Sequence, residues 1–98
     1  MRESVIQKDI VDYLESLGCY VTKVIKANKN GVPDILFCHD GHFYAVEVKR
    51  RGNKGRATPL QRLHIRLIQN SGGRAIVADC VEDVQKLLGL YTDYDFLE

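Results

Sequence analysis

Two carboxylates and a lysine are the residues of this sequence whose types and spacing most directly suggest chemistry. Asp34 follows Pro33, and Glu47 is separated from Lys49 by one residue. Carboxylate oxygens are ligands that Mg²⁺ prefers, and a lysine beside a phosphate can orient an attacking water or neutralise charge on the phosphoryl oxygens. Alone, such a triplet is a weak signal, because acids and lysines alternate by chance along solvated strand edges.

The dipeptide Asp40-Gly41 predicts how the two acids are brought together. Between apolar runs it is typical of a two-residue hairpin turn, and here it lies between His39 and His42. If those two histidines face each other, counting back along both strands places Asp34 opposite Glu47 on one face of the sheet.

Two acids that face each other in this way need a cation. Facing residues have Cβ atoms about 4.5–5.5 Å apart, where like charges repel. We therefore expect Asp34 and Glu47 to hold Mg²⁺, with the backbone carbonyl of Val48 as a further ligand and Lys49 on the same face. These groups predict metal-assisted hydrolysis of a phosphodiester. The alternative, a turn cap beside a solvated strand edge, is less favoured because the hairpin places the acids opposite each other.

The charges of the chain are concentrated in its middle. Residues 23–74 hold 11 Lys or Arg and three acidic residues, a net charge of +8, whereas the other 3 basic and 10 acidic residues give −7 and bring the total to +1. A basic segment of this kind favours a polyanionic partner.

Length and composition exclude several classes of protein. A chain of 98 residues suits a single domain, and 45% hydrophobic residues are too many for a disordered chain. No apolar run approaches the roughly 20 residues that a membrane helix needs, and the N-terminus shows no secretion signal. Three cysteines without a CxxC pair indicate buried, reduced thiols in a cytoplasmic protein. We also expect no membrane partner and an intracellular protein of phage or bacterial type.

Helical and strand patterns follow one another in the order α-β-β-β-α-β-α. The second helix begins at Thr58-Pro59, a typical N-cap and first helical position, and ends at Gly72-Gly73. The other two helices are predicted over 2–17 and 81–88, and the strands over 19–25, 35–38, 43–49 and 75–78. This order predicts an α/β fold in which helices flank a mixed β-sheet.

The motifs also resemble those of a known family. Pro33-Asp34 followed by Glu47-Val48-Lys49 is similar to the PD-(D/E)xK signature of metal-dependent nucleases. Gly31 before that motif, together with Thr58-Pro59-Leu60-Gln61 at the start of the next helix, makes the chain resemble a stand-alone VRR-NUC (virus-type replication-repair nuclease) domain. The likeness extends from the first helix to about Leu88.

The resemblance implies a restriction-endonuclease-like core and a nuclease that depends on Mg²⁺, with Mn²⁺ as a substitute. It implies that Asp34 and Glu47 bind the metal, that Lys49 is catalytic and that Gln61 lies at the active site. Small stand-alone members are similar to Holliday-junction resolvases and tend to act as homodimers, which implies branched DNA as substrate and a second copy of the chain as partner.

Two further site residues have structural alternatives. Glu3 shares the packed side of the first helix with Ile10 and Leu14, and the family often has a metal-site glutamate there. The alternative is an acid that the helix dipole favours. Thr58 and Gln61 fit a capping box, in which the glutamine returns to the N-cap amide, so one conformer of Gln61 cannot fully serve both the cap and the active site.

A basic loop follows Lys49 directly. Its side chains are expected to bind the DNA backbone with little sequence selectivity, although many charge runs are only solvated loops. The predicted DNA-binding residues are Arg50, Arg51, Lys54 and Arg56, with Lys26 and Lys29 ahead of the Pro-Asp motif.

We therefore expect residues 1–98 to form one nuclease domain, with 90–98 as a C-terminal tail that docks on its own domain or on a second subunit. The predicted function is metal-dependent, structure-selective DNA cleavage in replication, repair or recombination. One alternative is a non-catalytic nucleic-acid-binding module on the same fold. Another is a dimeric structural subunit whose basic loop binds a protein.

Overall fold

The structure, a computed structural model, describes residues 1–89, and the predicted tail lies outside the described residues. The elements follow the predicted order, with one short 3₁₀ turn added in the basic loop. The helices are α1 (Glu3–Ser16), α2 (Pro59–Asn70) and α3 (Val81–Leu88); the strands are β1 (Tyr20–Lys23), β2 (Ile35–His39), β3 (His42–Val48) and β4 (Arg74–Ala78); the 3₁₀ turn is Lys54–Arg56.

The four strands form one mixed sheet in the order β1-β2-β3-β4. β1 with β2 and β2 with β3 are antiparallel, whereas β3 and β4 are parallel. A parallel neighbour requires a crossover connection, and the chain makes it through the basic loop and α2. The predicted α/β class with a mixed sheet and flanking helices is confirmed.

The β2–β3 hairpin has the register that its turn predicts. His39 pairs with His42, and Ile35 pairs with Val46. Asp40 and Gly41 both have positive φ, at 51° and 81°, as a type I′ turn requires. Turn chemistry therefore fixes which residues face each other along the whole hairpin.

The main core lies on the face of the sheet that α1 and α3 cover. Apolar side chains at helical spacing on α1 pack against alternate residues of the strands, which is the pattern that buries one face of each element. The core consists of Ile6, Ile10, Leu14, Ile35, Phe37, Tyr44, Val46, Val48, Ala78 and Val84.

The opposite face is covered by α2 and is packed less completely. None of the described residues of α2 is fully buried. Leu60, Leu63 and Leu67 keep 43%, 40% and 50% of their surface exposed, and Phe43 of β3 keeps 43%. Because side chains alternate between faces along a strand, Glu47 and Phe43 lie on this second face and not in the main core.

The cysteines are free, as expected, but the expectation that all are buried is wrong. Cys19 and Cys80 are partly buried and Cys38 is exposed, because Cys38 points to the sparsely covered face. Within residues 1–89, no helix has the length and apolarity needed to cross a membrane.

Candidate active site

Asp34, which directly precedes the first residue of β2, is held in place by hydrogen bonds to the neighbouring segments on both sides. Its backbone carbonyl accepts a hydrogen bond from the Val24 N–H at 2.8 Å, which continues the β1–β2 pairing. Its carboxylate oxygen Oδ2 accepts the Val48 N–H at 2.8 Å. The side chain is therefore fixed against β3, while its other oxygen is not used by this bond.

Glu47 is the buried acid of the site. Its residue exposure is 3%, and the hairpin register, continued by one residue beyond Ile35–Val46, places it opposite Asp34. Burial, reinforced by the neighbouring Asp34 carboxylate, raises the pKa of Glu47 to about 8. A strongly perturbed acid with a specific charged neighbour is typical of a functional site.

Lys49 supplies the positive charge beside this acid pair. Its Nζ lies 3.7 Å from Glu47 Oε2, and its side chain is 14% exposed. Its backbone N–H donates to the Ala78 carbonyl at 2.9 Å and so extends the β3–β4 pairing past the end of β3. Lys49 opposes the rise in the pKa of Glu47 but does not cancel it.

Pro33 affects the backbone at the predicted third ligand. Continuing the same register by two residues brings Pro33 opposite Val48. Proline has no N–H, so it cannot supply the ladder donor that would otherwise pair with the Val48 carbonyl. The proline of the Pro-Asp motif thereby leaves this oxygen suited to a cation.

Glu3 lies near the same end of the sheet. It is partly buried as the first residue of α1, and its charge also contributes to raising the pKa of Glu47. The first helix thus brings a third carboxylate toward the acid pair, where the sequence predicts one. Its role as a ligand stays a prediction.

The donor set fits a hard divalent cation. Two carboxylates that face each other, one of them buried, repel each other when both are ionised, and a cation between them would remove that repulsion. Carboxylate and carbonyl oxygens are the ligands of Mg²⁺ and Mn²⁺. The site residues Asp34, Glu47 and Val48 would therefore suit such an ion, and Lys49 Nζ lies 3.7 Å from Glu47 Oε2.

A family model for the VRR-NUC domain matches residues 2–82. The chain belongs to the VRR-NUC family. This is a nuclease-type domain family, and it is the family that the Pro-Asp and Glu-Val-Lys motifs resemble.

Solved structures agree with this assignment. The chain is similar to a structure described as "VRR_NUC domain", with 28% identity, 92% of this chain and 97% of that chain covered, and a TM-score of 0.74. A second, described as "VRR_NUC domain protein", shares the fold at 21% identity, with 93% and 88% covered and a TM-score of 0.73. No curated protein sequence matches the chain significantly.

In this VRR-NUC domain, Gln61 forms the capping box. Its Oε1 accepts the Thr58 N–H at 2.9 Å, and its own N–H donates to Thr58 Oγ1 at 3.1 Å. The start of α2 also packs closely on the loop before the Pro-Asp motif, since a Cβ on Gly31 would lie 2.7 Å from Leu60 Cγ. The glutamine therefore begins the helix that contacts this loop, and its catalytic role stays a prediction.

The predicted DNA-binding residues lie on the surface in two segments. All six are exposed, four of them in the loop between β3 and α2 and two in the segment between β1 and β2. Lys54 differs from the others because its Nζ pairs with Asp83 at 3.1 Å. Both segments adjoin the acid pair along the chain, since Lys29 precedes Pro33 and Arg50 follows Lys49.

Sequence reasoning did not single out a second acidic group at the end of β4. One potential ligand atom from each of Asp79, Cys80 and Asp83 lies within 4.8 Å of the other two, so the three side chains could in principle hold a metal ion. A hydrogen bond from the Gly52 N–H lowers the pKa of Asp79. The only signal in the sequence is an acid after the β4 run and a second acid in the first turn of α3.

Proposed function

We propose that this VRR-NUC domain is a metal-dependent DNA endonuclease. The observation that carries the proposal is the buried Glu47 beside Asp34, with Lys49 within 3.7 Å of it. Burial of Glu47 beside Asp34 destabilises the metal-free site when both acids are charged, and Lys49 offsets only part of that cost. Such a cost is typical of functional residues. Membership of a nuclease-type family supports DNA as the substrate.

The side chains have distinct parts in the proposed reaction. Asp34, Glu47 and the Val48 carbonyl would hold Mg²⁺ or Mn²⁺, with Glu3 as a further ligand. When bound, the ion supplies Lewis-acid polarisation of the phosphate and a lowered pKa for a coordinated water. Lys49 orients the attacking water and stabilises negative charge that develops on the phosphoryl oxygens.

The proposed substrate is branched DNA, such as a four-way junction. The exposed basic side chains suit contacts to phosphates, which position a duplex without reading its sequence. Selectivity must then come from the shape of the DNA and from the spacing of two active sites. This part of the proposal rests on the likeness to small stand-alone nucleases.

A second copy of the chain is the proposed protein partner. Leu60, Leu63 and Leu67 recur at helical spacing on α2 and form an apolar stripe that the described part of the chain leaves about half exposed. We name this set the leucine stripe. Pairing two such helices would bury both stripes and would hold two active sites in one particle, as cleavage of two strands at a junction requires.

Cleavage of a defined set of DNA molecules tests the function. Four-way junction, flap, nicked and linear duplex are incubated with Mg²⁺, Mn²⁺ or EDTA. We expect cleavage with either metal, strongest on the junction, and none in EDTA. Absence of cleavage under every metal condition, with DNA binding retained, would instead identify a non-catalytic binding module; weak, salt-insensitive DNA binding would favour a structural subunit.

Variants of the same assay test the site assignment. Glu47→Gln and Lys49→Gln should each lower the cleavage rate by about 100-fold or more while the junction is still bound. Glu15→Gln is the control, because Glu15 is an exposed acid in the last turn of α1, at the other end of that helix from Glu3. Full activity in Glu47→Gln would overturn the assignment.

A further inference from the structure

The loop that follows Lys49 is anchored by acids from another part of the fold. Asp79 Oδ2 accepts the Gly52 N–H at 2.8 Å. Asp83 pairs with Lys54 Nζ at 3.1 Å, and it also accepts the Asp79 N–H at 3.0 Å. We name Asp79 and Asp83 the acidic brace.

The far end of the loop is anchored separately. The Arg62 guanidinium donates to the carbonyls of Gly55 and Ala57, both at 3.1 Å. Inside the loop, the Asn53 N–H donates to the Arg50 carbonyl at 2.8 Å and the Arg56 N–H donates to the Asn53 carbonyl at 2.9 Å. The loop is therefore a folded segment that is held from both sides.

The acidic brace begins at the end of β4, next to the residue that is hydrogen-bonded to Lys49. Ala78, the last residue of β4, accepts the Lys49 N–H, and the next residue is Asp79. Asp79 is only 7% exposed, although the loop beside it carries several cations. Its carboxylate accepts a hydrogen bond from the backbone N–H of Gly52 and is largely shielded from solvent.

Long-range electrostatics and these contacts predict opposite effects of removing the acids. Near a DNA-binding loop, removal of a negative charge normally strengthens DNA binding, because repulsion of the phosphates is reduced. Removal of an anchor weakens binding, because the loop must then be ordered when DNA binds. The burial of Asp79 and its short bond to Gly52 favour the second effect.

We propose that Asp79 and Asp83 are positioning residues that hold the basic loop in the conformation that grips the DNA backbone. This inference rests on the proposed function and adds to it two acids that act through the loop and not on the phosphate. Their oxygens already accept N–H groups of Gly52 and Asp79, so the potential metal group at this position is assigned to loop anchoring.

The experiment compares Asp79→Ala with Asp79→Asn. Alanine removes the acceptor, whereas asparagine keeps an oxygen that can accept the Gly52 N–H without the charge. Affinity for a fluorescent four-way junction is measured in EDTA, so that cleavage is not needed. We expect Asp79→Ala to bind about tenfold more weakly and Asp79→Asn to bind at least as tightly as the parent protein.

Kinetics and proteolysis provide further readouts. With Mg²⁺, Asp79→Ala should raise KM and leave kcat within about twofold, since the change removes only binding energy that the ground and transition states share. Trypsin should cut Asp79→Ala faster than Asp79→Asn at the loop's Arg and Lys residues, because the loop opens more often. Glu82→Gln removes a charge from the same turn of α3 without touching the loop bonds, so it should bind the junction at least as tightly as the parent protein and be cut by trypsin at the same rate.

Asp83→Ala provides an independent variant, since Asp83 is less buried than Asp79 and its replacement threatens folding less. It should weaken junction binding in the same direction. Unchanged or tighter binding by folded Asp79→Ala or Asp83→Ala would overturn the inference. A parent protein that binds the junction but does not cleave it would overturn the proposed nuclease function alone.

Discussion

At the scale of single residues, the site is defined by an acid that is costly to the fold. Glu47 has its pKa raised from 4.5 to about 8, first by burial and then by Asp34. Between these two pH values the folded protein holds a proton that the unfolded chain has released. The metal-free domain should therefore lose stability as the pH rises through this range, and the loss should be complete above pH 8.

Glu47→Gln tests this cost directly. In EDTA we expect the variant to melt several degrees above the parent protein at pH 8.5 and close to it at pH 5, because the amide has no charge to bury. Each pKa unit of the shift corresponds to about 1.4 kcal/mol. Thermal unfolding followed by circular dichroism measures the difference, and an equal difference at both pH values would contradict the prediction. Glu82→Gln should show no such pH dependence.

At the scale of elements, α2 combines two roles. Its first turn carries the capping box and packs through Leu60 on the loop before the Pro-Asp motif, while the leucine stripe, which includes Leu60, keeps about half of its surface exposed. Because no described residue of α2 is fully buried, we expect the helix to depend on its cap, and on the proposed contact with a second copy, more than α1 does. Changes to the cap and changes to the stripe should therefore have separable effects.

Thr58→Ala and Gln61→Ala separate the capping role of Gln61 from its predicted role in catalysis. Each variant removes one half of the capping box, at a cost of about 1 kcal/mol in the free energy of unfolding. If Gln61 also serves the active site, Gln61→Ala should lower kcat by about tenfold, whereas Thr58→Ala should leave kcat within about twofold. Melting and cleavage are measured on both variants, and equal kcat values would assign Gln61 to the cap alone.

Leu63→Glu combined with Leu67→Glu tests the leucine stripe as a dimer interface. Charges cannot be buried unpaired between two copies, so the double variant should be a monomer by light scattering and keep its helical content. Val5→Glu is the matched control, because Val5 is 43% exposed on α1 and outside the stripe. A double variant that stays dimeric would move the interface elsewhere.

At the scale of the whole molecule, the fold gathers basic segments beside one end of the sheet. The segment between β1 and β2 and the loop between β3 and α2 are far apart in the chain, yet they flank Asp34 and Glu47. The acidic residues lie mainly on α1 and α3 and in the tail sequence. The total charge of +1 therefore conceals a separation of basic from acidic residues, and the basic part suits a polyanionic substrate.

Lys26→Ala combined with Lys29→Ala tests this separation. Removing one phosphate-binding cation should reduce the slope of log affinity against log salt by about one. We expect the double variant to bind a four-way junction more weakly at about 0.1 M salt, where surface charges still act over roughly 10 Å, and to show a shallower salt dependence in a fluorescence titration. Lys8→Ala, which removes a lysine paired with Asp12 on α1, should change neither; an equal effect there would indicate a general charge effect.

The sequence by itself determined the hairpin and, through it, the acid pair. A two-residue turn sets register locally, so Asp40-Gly41 was enough to place Asp34 opposite Glu47 by counting. The same local signals predicted the order of elements and the capping box of α2. Each of these depends on residues that are close in the chain or linked by a fixed turn.

Only the tertiary structure determined the features that depend on contacts between segments distant in the chain. The burial that raises the pKa of Glu47 depends on neighbours from other elements, and the acidic brace joins residues that no periodicity relates. By its sequence position, Asp83 is an ordinary acid of a helix first turn, which the dipole favours; only the fold places Lys54 beside it. Local chemistry fixes which residues a strand or turn presents, whereas the packing of β4 and α3 against the loop fixes which partners those residues meet.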